Sequence, residues 1–470
     1  MTEIDKTQKS VQNATLVVIL LTNFVASFAI TSLNIAVPHI GVEFGASTTS
    51  LTWIVLAFLL VTSVLSIPFG RLSDIRGRGK IFKVGLLLFF VASFLIIFSP
   101  NMMTFLFMRI LQGVGSAMIF ATSTAILVEA FPPNKRGSVL GISIACVYIG
   151  SSIGPVLGGF VTSAFSWRAV FVLISAVALA SFIMAIVRSP KTESVKNDGE
   201  TIKTSSVILF VISFGLLMLG IATFMQNIWS YFVLTAGIVL VIIYIKMELR
   251  RETPLLEVKL FKGNRVLSFS LLAGILNYAA MFAITYLMSL YLQLARGFTA
   301  DISGLIMISQ PIVQAILSPI AGKLSDKRSP ATLASLGMAC CAAALLMFAF
   351  LNEQTPIPYI ITGLLLTGVG IAFFSPPNQN IILGSVSNNY YGIATSLNSA
   401  GRAFGQVIGM AVLTIVIRIT IGDIPIAEVR PSEFIYNSHI SFIVFAAICA
   451  IGVFISLQRR EEKSTTSPIA

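Results

Sequence analysis

Fourteen long apolar stretches, more than any single motif, decide what this 470-residue chain can fold into. A helix that crosses the hydrocarbon layer needs about 20 mostly apolar residues. Such stretches lie near 15–37, 50–69, 81–99, 102–128, 137–162, 167–187, 205–225 and 228–247, and again near 267–292, 302–320, 331–351, 358–383, 392–418 and 438–457. The runs are continuous, whereas a transmembrane barrel would show alternating segments of about ten residues. Only 11% of the chain is charged while 56% is hydrophobic, against about 25% charged in soluble domains. A water-soluble fold could not bury that much apolar side chain, so soluble enzymes, nucleic-acid binders and disordered scaffolds are excluded. The chain is expected to be an all-α integral membrane protein whose first partner is the lipid bilayer.

The net charge of +12 is not a nucleic-acid signal, because the basic residues sit in short clusters between apolar runs. With the N-terminus in the cytoplasm, the inner segments hold twenty-five Lys and Arg, and the outer loops hold only Arg168, Arg296 and Arg430. That asymmetry predicts a multi-pass protein with both termini cytoplasmic. The polar start, Met1 to Asn13, shows no cleavage-site pattern. Cys146, Cys340, Cys341 and Cys449 all lie in apolar runs and read as small core residues. The two histidines, His39 and His439, lie near outer ends of spans. No metal or cofactor site is expected, and the scattered acids and histidines make no catalytic cluster, so the chain does not read as an enzyme.

The longest inner linkers, 188–204 and 247–265, bracket spans seven and eight. This divides the chain into an N-terminal tail (1–14), a six-helix bundle (15–187), linkers with two extra helices (188–266), a second six-helix bundle (267–457) and a C-terminal tail (458–470). A repeat supports the 6+2+6 reading with two pseudo-symmetric halves. Gly70-Arg-Leu-Ser-Asp74 follows the second helix of the first half, and Gly322-Lys-Leu-Ser-Asp326 follows the second helix of the other. Parallel halves with matching basic loops are what a transporter with a substrate site between them would show.

Several residues stand out as candidates. Asp74 is an acid among Arg71, Arg76, Arg78 and Lys80; it reads either as a latch that breaks when the halves rock or as an incidental acid in a positive-inside loop. Gly70 would permit close approach or an unusual backbone angle at the helix end. Span five carries Gly141, Gly150, Gly154, Pro155, Gly158 and Gly159, a density that suits close and pliable helix contact. Gly401, Gly405 and Gly409 repeat that theme in span thirteen. Arg109, with Gln112, is costly at depth and should face protein or water, unless it snorkels to the outer interface. Asn398, Arg402 and Gln406 form a polar stripe on span thirteen, with snorkelling to the inner face as the alternative.

Together these features resemble the major facilitator superfamily, in particular its fourteen-helix branch of drug:proton antiporters, over nearly the whole chain. Gly141, Gly150, Gly154, Pro155, Gly158 and Gly159 meet every position of that branch's antiporter motif. Gly70, Leu72, Asp74, Gly77 and Arg78 match the superfamily's loop motif, with Ile75 in place of its usual basic residue. Arg109, Gln112, Gly113 and Gly115 match the fourth-helix motif that the resemblance links to proton coupling. Pro254, Leu255, Leu256 and Glu257, followed by Leu260 and Phe261, also look like this branch. The first helix departs from the pattern. Thr31, Asn34 and Pro38 keep the family's frame, but its aspartate position is Ala29.

None of the 19 acids lies in the middle of a span. A buried carboxylate would neutralise a lipophilic cation and could carry a proton in exchange. Its absence points to neutral or anionic amphipathic substrates, with a cavity lined by Tyr148, Tyr278, Tyr286, Asn277, Gln310, Gln314 and Gln379. Glu129, at the inner end of span four, is the one nearby carboxylate available for proton coupling; its plainer reading is a solvated helix-end acid. The expectation is a monomeric secondary transporter in a plasma membrane, exporting small molecules and coupled to protons as the resemblance implies. A dedicated metabolite carrier and potential-driven anion export are the alternatives.

Overall fold

The computed structural model describes residues 3–188, 204–224, 227–251, 254–256, 258–325, 327–386 and 391–459. Fifteen α-helices make up fourteen candidate membrane spans among these residues. The first bundle contains α1 (Glu3–Glu43), α2 (Thr48–Arg76), α3 (Arg78–Ile96), α4 (Met102–Ala130), α5 (Pro133–Ala164) and α6 (Trp167–Arg188). A hairpin of α7 (Thr204–Ala222) and α8 (Ile228–Glu248) follows. The second bundle contains α9 (Arg265–Leu290), α10 (Ala300–Met307), α11 (Ser309–Ser325), α12 (Pro330–Phe348), α13 (Ile357–Gly384), α14 (Tyr391–Thr420) and α15 (Pro431–Leu457), with α10 and α11 forming one span.

Helix starts are written in the local sequence. Asn101, Asn227 and Asn264 accept from the backbone amides of Thr104, Ser230 and Leu267 at 2.9, 3.0 and 2.9 Å, satisfying groups that a helix end leaves open. Two boundaries differ from the apolar reading. α1 is helical from Glu3, twelve residues before the apolar run begins, and α15 starts at Pro431 instead of near 438. At α15, Glu433 accepts from the Arg430 amide at 3.3 Å and pairs with its guanidinium at 3.5 Å, so polar residues build the first turns.

The two bundles repeat one pairing scheme. In the first, α1 packs on α5 and α6, α2 on α4, and α3 on α4 and α6; in the second, α9 packs on α14 and α15, α11 on α13, and α12 on α13 and α15. The bundles meet along two seams, α5 against α10 and α11, and α2 against α14. The hairpin lies over the second seam. There α7 touches both α2 and α14, and Phe214 stacks on Phe404 with ring centroids 5.7 Å apart. Outward-facing side chains of α8, such as Trp229, Phe232, Ile238 and Ile242, are exposed and apolar, as a lipid-facing surface requires.

Candidate functional site: a polar chamber between two bundles

Close approach between helices begins at the glycines of α5. A Cβ at Gly158 would come within 2.6 Å of Ser32 Cβ, and one at Gly154 would overlap Thr31 Oγ1, so these glycines let α5 lie directly on α1. Gly159 faces the other way. A side chain there would overlap the carbonyl of Ala300, while one at Gly304 would overlap the carbonyl of Pro155, so α5 and α10 meet backbone to backbone across the seam. On α14 the corresponding small residues stay within their own bundle, with Gly405 against Ile275 and Gly409 against Ala279 of α9. Gly141 lies in α5, but its surroundings fall outside the described side chains.

One pole of the seam is fastened by hydrogen bonds. It is the outer pole in the orientation expected from the Lys and Arg distribution. Ser47 and Pro425 form an isolated antiparallel bridge, with Thr48 N to Ile424 O at 2.9 Å and Ile426 N to Ala46 O at 3.2 Å. Thr48 Oγ1 donates to Gly422 O at 2.7 Å, and Thr414 donates to Thr52 at 2.9 Å. Deeper, Ser289 donates to the Asn34 carbonyl at 2.7 Å and Gln293 to the Ile35 carbonyl at 3.1 Å. Gln293 sits in a π-helical turn, Tyr291–Ala295, that ends α9. The carboxamide of Asn34 is buried without a partner, as is the hydroxyl of Tyr286. Ala29 is part of the buried core of α1.

Below this clasp, at mid-depth, the seam holds a polar cluster. Tyr148 lies halfway along α5, and its hydroxyl sits beside Gln314 and Ser318 of α11, within electrostatic reach of Tyr278 and Arg402. Tyr278 shares a 2.8 Å hydrogen bond with Ser375 of α13. Arg402 is exposed on α14, and Asn398 and Gln406 beside it are half-buried. Five helices from both bundles thus present hydroxyl, amide and guanidinium groups to one another. The only buried acid among the described residues is Glu248, which lies in the hairpin and not in this cluster. Of the expected lining, Asn277 is instead inside the second bundle beside Cys341, and Gln310 is buried against Gly368.

Arg109 has a different setting from Arg402. It is 1% exposed, donates through Nε to Ile54 O at 3.1 Å, bonds Gln112, and lies 4.5 Å above the Phe58 ring. Gln112 in turn donates to Ser93 at 2.7 Å. The pair therefore ties α4 to α2 and α3 inside the first bundle, and neither residue snorkels. Its neighbours are a carbonyl, an amide and a ring, which satisfy the cation without a carboxylate.

At the inner pole, Gly77 adopts φ +96° between α2 and α3, a backbone state that favours glycine. Arg78 pairs with Glu129 at 3.5 Å, joining the start of α3 to the end of α4 on the surface. Gly70 faces Ala121, and Gly322 faces Pro376. The side chain of Asp74, and Asp326 altogether, lie outside the described residues.

Two buried ionic groups escaped sequence reasoning. Glu248 is 1% exposed; it bonds Ser206 and accepts from Leu255 N at 2.6 Å, so the Pro254-Leu255-Leu256 turn is held by a carboxylate. Arg459, counted by position as an inner-tail cation, is folded beneath α9 and α13. Neither carried a signal in the sequence, since both sit beside other charges at span ends.

Comparison with known proteins fits this geometry. The chain is 27% identical over 451 residues to the riboflavin transporter RibZ of Clostridioides difficile (strain 630), covering 96% of this chain and 98% of that one. It is 25% identical to the methylenomycin A resistance protein of Streptomyces coelicolor, over 95% of this chain and 92% of that one. It is 26% identical to the multidrug resistance protein Stp of Mycobacterium tuberculosis, over 81% and 71%. A solved bacterial homologue of the human lysosomal transporter Spinster, captured inward-facing, superposes with a TM-score of 0.70 at 15% identity, covering 99% of this chain and 100% of that one. The family model of the Major Facilitator Superfamily matches residues 19–256 and 270–469. The chain is therefore a membrane transporter belonging to the major facilitator superfamily.

Proposed function

We propose that this transporter exports neutral or anionic amphipathic small molecules across the plasma membrane by alternating access, in exchange for protons. The observation that carries the substrate class is the mid-depth cluster of Tyr148, Tyr278, Gln314, Ser318, Ser375 and Arg402, which has a guanidinium and no buried acid among the described residues. A cation entering it would find no countercharge and would lose its hydration, whereas a neutral or anionic solute would find donors. The fastened outer pole and the mid-depth meeting of the bundles suit an inward-facing carrier that receives substrate from the cytoplasm, with both termini on that side. Export is supported by the likeness to two resistance proteins, and proton exchange by the antiporter motif on α5. Glu129, paired with Arg78, is the acid we assign to coupling.

A second reading is a dedicated carrier of one planar, polar metabolite. It is favoured by the likeness to the riboflavin transporter over 96% of this chain. Accumulation of one cationic, one neutral and one anionic fluorescent amphiphile in efflux-deficient cells, with and without a protonophore, separates these readings. Export predicts that the neutral or anionic probe is expelled and that the protonophore abolishes this. Expulsion of the cation alone contradicts the charge argument. No movement of any probe, with saturable riboflavin uptake, favours the metabolite carrier. Anion efflux that survives the protonophore while an imposed potential remains, and is unchanged in Glu129→Gln, removes proton coupling.

A further inference from the structure

Arg459 stands two residues beyond α15, yet it is only 2% exposed. Its Nη1 donates to Asn378 Oδ1 on α13 and, at 3.4 Å, to Ser270 Oγ near the start of α9. Nε and Nη2 are buried and have no partner. Those two nitrogens form one edge of the guanidinium, and their parallel N–H groups match two oxygens of a carboxylate or phosphate. No other Lys or Arg among the described residues is left with a buried, unpartnered nitrogen. Burial pushes this guanidinium down to about 10, which leaves it cationic at neutral pH. Glu248, the only buried acid among the described residues, is already engaged by Ser206 and the Leu255 amide. A buried cation with an open bidentate edge is strongly unfavourable until an oxyanion completes it.

The surroundings favour an anion as well. Lys259, Lys262 and Arg265, just before and at the start of α9, are exposed at this pole. In the orientation expected from the Lys and Arg distribution, these basic residues face the headgroup layer of the inner leaflet, which is rich in phosphate.

We infer that Arg459, braced by Asn378 and Ser270, forms an oxyanion site at the inner mouth of the second bundle, and that this site takes a phosphate group through the Nε and Nη2 edge. The phosphate comes either from the headgroup of an anionic lipid or from free phosphate. The site is separate from the substrate chamber: Ser270 is eight residues, about two helical turns, from Tyr278 on α9. The site does not depend on which solute the chamber carries.

The test uses the full-length transporter, delipidated in a neutral detergent. Its thermal midpoint is followed with inorganic phosphate, with chloride at matched ionic strength, with phosphatidylglycerol and with an uncharged glycolipid. The site predicts a rise of a few degrees with phosphatidylglycerol, with inorganic phosphate, or with both. The first alone identifies a lipid headgroup, and a rise with inorganic phosphate identifies free phosphate as sufficient. Arg459→Lys keeps the charge but loses the fork, and should bind at least tenfold more weakly. Lys259→Gln with Lys262→Gln should keep most of the response. An unchanged midpoint with both phosphates overturns the inference, as does a full response in Arg459→Lys. A response that appears only after Glu461 and Glu462 are changed to Gln also overturns it, because the chain's own tail would then be the counter-ion.

Discussion

Each bundle buries an arginine, and the two are treated differently. In the first bundle, Arg109 gives its Nε to the Ile54 carbonyl, bonds Gln112 and rests on Phe58. In the second, Arg459 uses one nitrogen on Asn378 and Ser270 and leaves a whole edge open. The glycines on α5 and α14 differ in a parallel way. Those of α5 serve both its own bundle, through Gly154 and Gly158, and the opposite bundle, through Gly159; the atoms nearest to Gly405 and Gly409 of α14 belong to α9. Repeated topology therefore does not repeat chemistry. The first bundle carries a closed polar knot and a backbone contact that crosses the seam between bundles, while the second carries a helix pair packed within itself and an arginine with an open edge.

The largest difference between the bundles is expected at the glycines. Gly159→Ala would force α5 off the Ala300 carbonyl, so transport should fall by more than 90% while the folded yield stays near wild type, because the strain lies between bundles. Gly409→Ala places the same methyl against the Ala279 carbonyl inside one bundle, where overpacking costs about 1–3 kcal/mol. Its thermal midpoint should drop even where transport per folded molecule survives. Thermal unfolding measured beside proteoliposome flux reads both; equal loss of stability in the two variants would remove the distinction.

Arg109→Gln should come next. It removes charge-assisted hydrogen bonds worth about 1.5–3 kcal/mol each and leaves the Ile54 carbonyl open, so stability should fall before any change in apparent substrate affinity. A pure KM effect at unchanged stability would place Arg109 in the substrate path instead. Tyr148→Phe is milder. Losing a hydroxyl beside Gln314 and Ser318 should weaken substrate binding by about fivefold, near 1 kcal/mol, with normal expression.

The smallest effect belongs to the outer clasp. Partial burial alone would raise the Asp423 carboxyl, but donors from Ser47 and Thr49, with the charge of Arg418, outweigh it and hold the group below its usual range. A depressed carboxyl stabilises the clasped state above its unclasped pKa, near about 3.9, and that contribution fades as pH falls through the lower clasped value. Thermal midpoints followed from pH 6 to pH 3 should show a modest acid-dependent loss that Asp423→Asn lacks. Identical profiles would detach Asp423 from the clasp.

Which of these features the sequence could reveal follows from their physics. The spans were legible because a bilayer demands continuous apolar runs, and Gly150, Gly154 and Gly158 because glycines four apart share a helical face; that Gly159 serves the opposite bundle was not. The unusual backbone angle expected at Gly70 falls instead at Gly77, because α2 continues through Gly70 to Arg76 and the chain turns only after it. The outer clasp was not legible, because Thr48 and Gly422 meet across 374 residues of chain with no compositional mark. Arg459 was hidden for a different reason. Counting Lys and Arg by position assigns any cation past the last span to water, and only the packing of α9 and α13 above it reveals its burial. The start of α15 was misplaced because a polar capping turn precedes its apolar run.

We propose that the polar cluster holding Arg402, with no buried acid among the described residues, selects against cations. Competitive binding to the purified transporter of three matched probes on one scaffold, cationic, neutral and anionic, tests it directly, with Arg402→Gln alongside. The account predicts that the neutral and anionic probes bind at least tenfold more tightly than the cation, and that Arg402→Gln removes the advantage of the anion alone. A cationic probe that binds most tightly to the wild-type protein would contradict it.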